Sequence, residues 1–296
     1  MNNSHWYYSF LIFNFSKKMM SLYTNTCLEC SELITKRYST SFSSGIRAFD
    51  KKLRSPIYAV YGFVRFADEI VDTFHEHDKK SLLDRFRTET YQAIEEKISL
   101  NPVLHSFQKV VNEYQIDHEL IDAFLDSMEM DLYHNRYEDS LYNTYIYGSA
   151  EVVGLMCLKV FVEGDQAEYE RLRPAACKLG SAFQKINFLR DMKSDFDERG
   201  RVYFPGVDFR NFDERDKKLI EDDIQGEFDE ALVGIKNLPK SARFGVYLAY
   251  VYYTNLFSKI KKANAERVKQ ERIRVNDSKK VYLVFESMFK HSFNLL

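Results

Sequence analysis

Residues 180–205 carry polar side chains at a spacing that could bind a divalent cation. If this stretch is helical, Gln184, Asn187, Asp191 and Asp195 follow one another at steps of three, four and four, and so share one helical face. Large apolar residues fill many of the positions between them, which is unusual for a solvated surface. Oxygen ligands at this spacing suit Mg²⁺. The stretch therefore predicts a carboxylate-lined pocket wall where Mg²⁺ holds a phosphate.

A second stretch, residues 58–72, repeats the pattern. Tyr61, Arg65, Asp68 and Asp72 lie at steps of four, three and four, again among apolar residues. Two like charges one helical turn apart cost a helix roughly 0.2–0.5 kcal/mol in water, and a bound cation reverses that cost. This stripe is therefore a second candidate for cation binding, and the sequence permits the two stripes to face each other without requiring it.

The chain also contains its own control for this spacing. Asp122 and Asp126 have the same spacing in a stretch with no comparable context. A lone pair is weak evidence, because exposed carboxylates also occur one turn apart. Two pairs in matching contexts favour a metal site over a plain acidic surface.

In these motifs the sequence resembles the squalene/phytoene synthase family, and within it the bacterial phytoene synthases. DEIVD at 68–72 and QKINFLRDMKSD at 184–195, the latter followed by RVYFP, are similar to the two aspartate-rich motifs of the family. STSF at 39–42 and the segment YGSAEVVG at 147–154 resemble further family landmarks in the same order. The resemblance extends from residue 27 to residue 280.

The resemblance implies a single all-α domain of the isoprenoid synthase type, with a central cavity between two facing Asp-rich helices. It implies that two geranylgeranyl diphosphates condense head to head to phytoene, a carotenoid precursor, through a cyclopropylcarbinyl diphosphate. Two or three Mg²⁺ ions would assist, with Mn²⁺ as an alternative, and NADPH is not expected. The base for the final deprotonation stays open between the second diphosphate and a tyrosine.

Site roles follow from side-chain chemistry together with the resemblance. The four aspartates are the predicted metal ligands, and Asn187 would complete the shell or orient a ligand. Tyrosine rings or hydroxyls would steady a carbocation, and arginines suit diphosphate. The structural alternatives are an intrahelical ion pair for Arg65, helix capping for the serines and core packing for the tyrosines. The predicted catalytic residues are Asp68, Asp72, Asp191, Asp195, Tyr61, Tyr147 and Tyr253, and the predicted diphosphate ligands are Ser39, Ser41, Arg65, Gln184, Asn187, Arg201 and Tyr203.

Two further features each have two interpretations. The glycines Gly148 and Gly154 either allow helix backbones to approach or leave space for an isoprenoid chain. The basic tail of Arg272, Arg274 and residues 279–280 either closes over the phosphates, as the resemblance implies, or forms a solvated face.

Three other functions compete with phytoene synthesis. Squalene and dehydrosqualene synthases use two farnesyl diphosphates, and squalene formation needs NADPH; the absence of a G-x-G-x-x-G motif is weak evidence against it. Terpene cyclases share one acidic motif, but their second motif has an N…S/T…E pattern unlike the D-x-x-x-D here. A non-catalytic helical homologue would have been indicated by loss of motif carboxylates, and all four are present.

Composition narrows the choice of partners. The net charge of −2 disfavours nucleic acid as a partner. The resemblance implies isoprenoid diphosphates as partners, geranylgeranyl diphosphate first and farnesyl diphosphate as the alternative. The aromatic content of 15% suits either a well-filled core or a long apolar tunnel. Four cysteines in a chain of this length do not form a disulfide scaffold and fit a cytoplasmic protein.

The apolar segment at residues 6–15 is too short to span a bilayer, and lysines follow it rather than precede it. We expect residues 1–20 to form a flexible extension, with peripheral membrane contact as an alternative, and residues 21–296 to form the all-α domain. Helices are expected throughout, including 45–52, 240–270 and 277–291, with a break at 55–56.

Overall fold

Helices make up the regular structure of the described part of the chain. The computed structural model describes residues 3–134 and 137–274. The all-α prediction is confirmed there. The helices are α1 (Asn3–Tyr38), α2 (Thr40–Arg47), α3 (Lys51–Asp72), α4 (Lys79–Glu96), α5 (Pro102–Tyr114), α6 (His118–Tyr133), α7 (Asp139–Ile146), α8 (Val152–Phe161), α9 (Gln166–Arg199), α10 (Glu214–Asn237), α11 (Lys240–Lys262) and α12 (Ala265–Gln270), with a π-helical turn, Tyr147–Glu151, between α7 and α8.

Aspartate and asparagine side chains mark where several helices begin. Asp50, Asp78 and Asn101 accept hydrogen bonds from backbone N–H groups in the first turns of α3, α4 and α5. Asp165 and Asp213 do the same for α9 and α10. Each cap stabilises its helix by about 1 kcal/mol because it satisfies N–H groups that have no partner within the helix.

Three helix boundaries differ from the sequence expectation. The predicted break at 55–56 is wrong, because the Asp50 cap starts α3 at Lys51 and leaves Pro56 inside the helix. The predicted helix 45–52 is interrupted by that same cap. The predicted helix 240–270 ends early, because the backbone is extended at Ala263 and Asn264 caps α12. The predicted helix 277–291 lies outside the described residues.

Five helices pack in a closed ring. Helix α3 contacts α8, α8 contacts α9, α9 contacts α11, α11 contacts α2, and α2 contacts α3. Within the described residues, α3 and α9 do not pack extensively against each other, so the two acidic helices lie on different sides of this ring. The ring therefore places the two acidic helices in separate walls.

Two apolar clusters support these walls. One contains α3 and is built around Phe63, whose ring stacks on Phe107 with centroids 3.9 Å apart. The other contains α9 and α10 and includes the fully buried Ile186 and Phe228. A fully buried aliphatic or aromatic side chain contributes roughly 1.5–3 kcal/mol, so both acidic helices are fixed by their apolar faces.

The N-terminal part of α1 is helical from Asn3 onward. That residues 1–20 form a flexible extension stays a prediction, because side chains before Lys18 are not described. Among the described residues, no helix is long and apolar enough to cross a membrane. All four cysteines are free thiols.

Candidate active site

The stripe on α3 is half-buried on a helix that is otherwise largely buried. Arg65 donates a hydrogen bond to the Glu69 carboxylate and lies 3.8 Å from Asp68. Its guanidinium also stacks 4.4 Å from the centre of the Tyr38 ring. The intrahelical ion pair considered for Arg65 is therefore present, and it places the guanidinium next to the carboxylates of the stripe.

The Asp68 carboxyl has an unusual electrostatic environment. Burial raises its pKa to about 7, Arg65 opposes that rise, and the neighbouring carboxylates of Asp72 and Asp131 add to it. A cation bound here would relieve both the desolvation and the repulsion between like charges. The donor chemistry of this wall thus fits a hard divalent metal.

The stripe on α9 forms a hydrogen-bonded row. Asn187 donates to Oε1 of Gln184 at 3.4 Å, and the Tyr253 hydroxyl of α11 donates to Oδ1 of Asn187 at 3.3 Å. The Tyr253 ring stacks on Phe183 with centroids 3.9 Å apart. These contacts bring Gln184, Asn187 and Tyr253 together, as the predicted site requires.

Asp191 lies between two arginines. Arg190 reaches its carboxylate through two nitrogens, the shorter contact being 2.5 Å. Arg272, from the segment after α12, lies 2.7 Å from Oδ1 of the same carboxylate. The described part of the basic tail therefore reaches the α9 stripe. Residues 279–280 lie outside the described residues.

Arg201 joins the two stripes. At the end of α9, Gly200 adopts a left-handed conformation with φ of 65°, which only glycine adopts at little cost. The Arg201 backbone N–H then donates to the Asp195 carbonyl at 2.9 Å, and its guanidinium lies 3.4 Å from Oδ1 of Asp72 on α3. A single residue thus contacts both acidic helices.

Arg201 also lies 3.4 Å from the Tyr203 hydroxyl. Tyr203 is buried and stacks on Phe188 with ring centroids 3.9 Å apart. Asp195 is buried as well, next to this aromatic group. The residues predicted from the motif after α9 therefore form one cluster.

Sequence reasoning missed Asp131, at the end of α6. Its side chain is only 6% exposed, and its carboxylate lies 3.4 Å from Arg201. The hydroxyls of Tyr137 and Tyr145 donate to it at 3.1 and 3.0 Å. The only sequence signal was an acidic residue between the apolar Met130 and Leu132, which is too common to single out a site.

The remaining predicted residues lie in two places. Ser39 caps α2 by accepting from the Phe42 N–H at 3.2 Å, and it also hydrogen-bonds Tyr61. Tyr61 stacks on Phe42. Tyr147 instead packs on the α3 cluster and hydrogen-bonds Arg173. The structure does not describe the side chain of Ser41.

The control pair behaves differently from the two stripes. Arg87 of α4 contacts Asp122 at 3.2 Å and Asp126 at 2.6 Å, so the two carboxylates share one arginine. Asp126 is 64% exposed. The same spacing here serves a surface ion-pair network.

Within the described residues, no three His, Cys, Asp or Glu side chains gather into a preformed metal cage. The candidate ligands are two pairs of aspartates on separate walls. Pairs of this kind suit Mg²⁺, which usually takes one or two carboxylates and fills its other positions with water and phosphate oxygens.

Comparison with known proteins agrees with this geometry. A family model described as squalene/phytoene synthase matches residues 35–279. The chain belongs to this family. Both acidic stripes and the Arg201 cluster fall inside the matched region.

Several curated members of the family are similar in sequence. Phytoene synthase 1, chloroplastic, from Solanum lycopersicum is 27% identical over 272 residues, which are 85% of this chain and 65% of that protein. The chain thus spans just under two thirds of that plant protein. 15-cis-phytoene synthase from Enterobacter agglomerans is 27% identical over 281 residues, covering 84% of this chain and 91% of that protein.

Solved structures show the same fold. A dehydrosqualene synthase matches with a TM-score of 0.77 at 21% identity, covering 90% of this chain and 96% of that chain. A squalene synthase from Alicyclobacillus acidocaldarius matches with a TM-score of 0.71 at 20% identity, covering 81% and 94%. These likenesses establish the isoprenoid synthase architecture of this family member.

Proposed function

We propose that this protein condenses two geranylgeranyl diphosphates head to head to give phytoene, with Mg²⁺ as its metal. The observation that supports this most is the pair of acidic stripes on separate helices of one ring, with Arg201 contacting both. The family acts on isoprenoid diphosphates. The presence of phytoene synthases among its relatives supports the choice of the C20 substrate for this proposal.

In this proposal Asp68, Asp72, Asp191 and Asp195, with Asn187, hold the metal. Bound Mg²⁺ or Mn²⁺ would act as a Lewis acid that neutralises the charge of the departing diphosphate. Asp68, Asp72 and Asp191 now pair with arginines, so substrate binding would exchange partners. The carboxylates would turn to the cations, while the arginines turn to phosphate oxygens, which they match with paired donors.

The polar side chains around the ring would bind and orient the two diphosphates. Arg65 and Arg201 offer charge, and Ser39 and Gln184 offer neutral hydrogen bonds. Tyr203 is enclosed by aromatic rings, and its hydroxyl would donate a hydrogen bond to phosphate. Ser41 belongs to the same proposed set.

Of the three candidate tyrosines, Tyr61 and Tyr253 suit the steps that pass through a carbocation better than Tyr147 does. After the first diphosphate leaves, the allylic cation would alkylate the double bond of the second substrate, and loss of a proton would give a cyclopropylcarbinyl diphosphate. Departure of the second diphosphate, rearrangement and loss of another proton would then give phytoene. Tyr61, which stacks on Phe42, and Tyr253, which hydrogen-bonds Asn187, would shield such cations with their rings. Tyr147 remains a candidate, although its described contacts are with Arg173 and the core.

Product analysis by mass spectrometry tests this proposal. The purified protein is incubated with Mg²⁺ and either farnesyl or geranylgeranyl diphosphate, with and without NADPH. We expect a C40 hydrocarbon that does not depend on NADPH. A C30 product would keep the reaction but replace the substrate, and NADPH dependence would separate squalene from dehydrosqualene. A C15 or C20 hydrocarbon would favour a terpene cyclase, and absence of any hydrocarbon from folded protein would favour a non-catalytic homologue.

The same proposal places the protein in the cytoplasm, with peripheral membrane contact as an alternative because its substrates are lipids. Sedimentation with liposomes would separate the two.

A further inference from the structure

The Asp131 carboxylate takes part in two hydrogen bonds and an ion pair. It accepts hydrogen bonds from the hydroxyls of Tyr137 and Tyr145, and Nη1 of Arg201 lies 3.4 Å from its Oδ1. Its own backbone carbonyl accepts from Nη2 of Arg201 at 2.7 Å. Asp131 therefore holds the Arg201 guanidinium with both its side chain and its main chain.

Arg201 has two acidic partners. Its side chain is 7% exposed and lies 3.4 Å from both the Asp72 and the Asp131 carboxylates. A buried guanidinium needs such partners, because an unpaired buried charge is strongly destabilising. The contacts from Asp131 are more numerous, and Asp131 is itself fixed by two tyrosines.

An aromatic layer encloses this network. The Tyr203 ring stacks on those of Tyr137 and Tyr145 with centroids 5.4 Å apart in each case, and on Phe188 at 3.9 Å. Electrostatic and hydrogen-bonding interactions are stronger where water is excluded, so each side chain in this network constrains its neighbours.

We infer that Asp131 is a positioning residue that fixes Arg201 between α6 and α3, so that the guanidinium sits beside Asp72 without fully neutralising it. This inference rests on the proposed function, in which Asp72 binds metal and Arg201 binds diphosphate. Without the Asp131 charge, Arg201 would turn to Asp72 as its remaining anionic partner. That ion pair would oppose both cation binding and diphosphate binding.

A double-mutant cycle tests the inference. Asp131→Asn, Arg201→Lys and the double variant are compared for binding of inorganic pyrophosphate in the presence of Mg²⁺ by calorimetry, and for kcat and KM. Asp131→Asn is expected to weaken pyrophosphate binding by roughly 10–100-fold, a typical effect of losing a supporting partner. Because Asp131 acts through Arg201, the double variant is expected to bind no more weakly than Arg201→Lys alone.

Asp126→Asn is the matched control, since it removes a carboxylate from the same helix at an exposed ion pair. It should bind pyrophosphate as the wild type does. Effects of Asp131→Asn and Arg201→Lys that simply multiply in the double variant would overturn the inference. So would an Asp131→Asn variant that behaves like the control.

A second variant keeps the inference testable if the Asp131→Asn protein does not fold. Tyr145→Phe removes one hydrogen bond to Asp131 and leaves the carboxylate in place. Tyr145→Phe should also weaken pyrophosphate binding, by a smaller factor than Asp131→Asn. The double variant of Tyr145→Phe with Arg201→Lys should bind pyrophosphate no more weakly than Arg201→Lys alone. Unchanged binding in Tyr145→Phe, together with additive losses, would contradict the inference.

The failure of the inference and of the proposed function can be told apart. Wild-type protein that forms hydrocarbon and binds pyrophosphate, while the cycle shows no coupling, overturns the inference alone. Folded wild-type protein that does neither overturns the proposed function, and the positioning role with it.

Discussion

Arginines accompany the acidic residues of this site. Arg65 lies beside Asp68, Arg201 beside Asp72, and both Arg190 and Arg272 contact Asp191. Such pairing holds the half-buried carboxylates in place. In the proposed function, these ion pairs would exchange partners when cation and diphosphate bind.

The pKa of Asp68 gives a pH-dependent prediction for the metal-free protein. Burial raises this pKa from 3.8 to about 7, so the folded state favours the protonated carboxyl. The stabilising contribution of the protonated Asp68 carboxyl is therefore complete below its unfolded pKa of 3.8 and is lost as pH rises from there through about 7. Asp68→Asn removes that pH-dependent loss and should raise Tm at pH 8 by roughly 2–4 °C, with a smaller rise near pH 5 and little change below about pH 4.

Thermal unfolding followed by circular dichroism, with EDTA present, measures this difference. Asp122→Asn is the comparison, because its carboxylate is bound by Arg87 and Tyr91 instead of lying among other acids. A Tm for Asp68→Asn that is lower than wild type at pH 8 would show that the buried charge is stabilising.

Residue spacing and context were enough to select the two stripes and to discount Asp122 and Asp126. They were not enough to find Asp131, because its significance depends on Arg201, Tyr137 and Tyr145, which are brought to it only by folding. A buried network assembled from separate helices leaves no periodic pattern in the sequence.

At the scale of secondary-structure elements, the close contact between α6 and the π-helical turn depends on a glycine. In the π-helical turn between α7 and α8, a Cβ on Gly148 would lie 2.3 Å from the backbone oxygen of Ala123 and 2.7 Å from Cβ of Ser127. Of the two interpretations given for this glycine, the structure supports close backbone approach.

Gly148→Ala should destabilise the protein by about 1–3 kcal/mol, because α6 would have to move away from this turn. Gly226→Ala is the matched control, since Gly226 lies in α10 with no atom within 4 Å of an added Cβ. That control should be more stable by about 1 kcal/mol, the gain expected from alanine in an exposed helix. Chemical denaturation measures both, and equal stabilities of the two variants would contradict the packing seen at Gly148.

The helical class and most of the element order followed from periodicity and from sparse proline and glycine. The boundaries that failed did so for local reasons. Asp50 forms a cap that starts α3 ahead of Pro56, and Asn264 forms one that interrupts a long apolar pattern. A side-chain cap fixes the end of a helix to within one or two residues. A hydrophobic pattern averaged over a longer window does not locate the boundary that finely.

At the scale of the whole molecule, the ring of α2, α3, α8, α9 and α11 positions the two acidic stripes. Each acidic stripe is held by its own apolar cluster, and the chain after α9 crosses from one wall to the other at Arg201. The resemblance implied that the two acidic helices face each other. The closed packing order and the Arg201 contacts give that expectation a structural basis.

The central claim is that carboxylates from both walls act together on an isoprenoid diphosphate. The measurement that tests it most directly is Mg²⁺-dependent release of inorganic diphosphate from geranylgeranyl diphosphate. It compares wild type with Asp68→Ala on one wall, Asp191→Ala on the other and Asp122→Ala as control. We expect release to be abolished in the first two variants, with their folds intact, and to be nearly unchanged in the third. Full release by either wall variant, or an equal loss in Asp122→Ala, would contradict the claim.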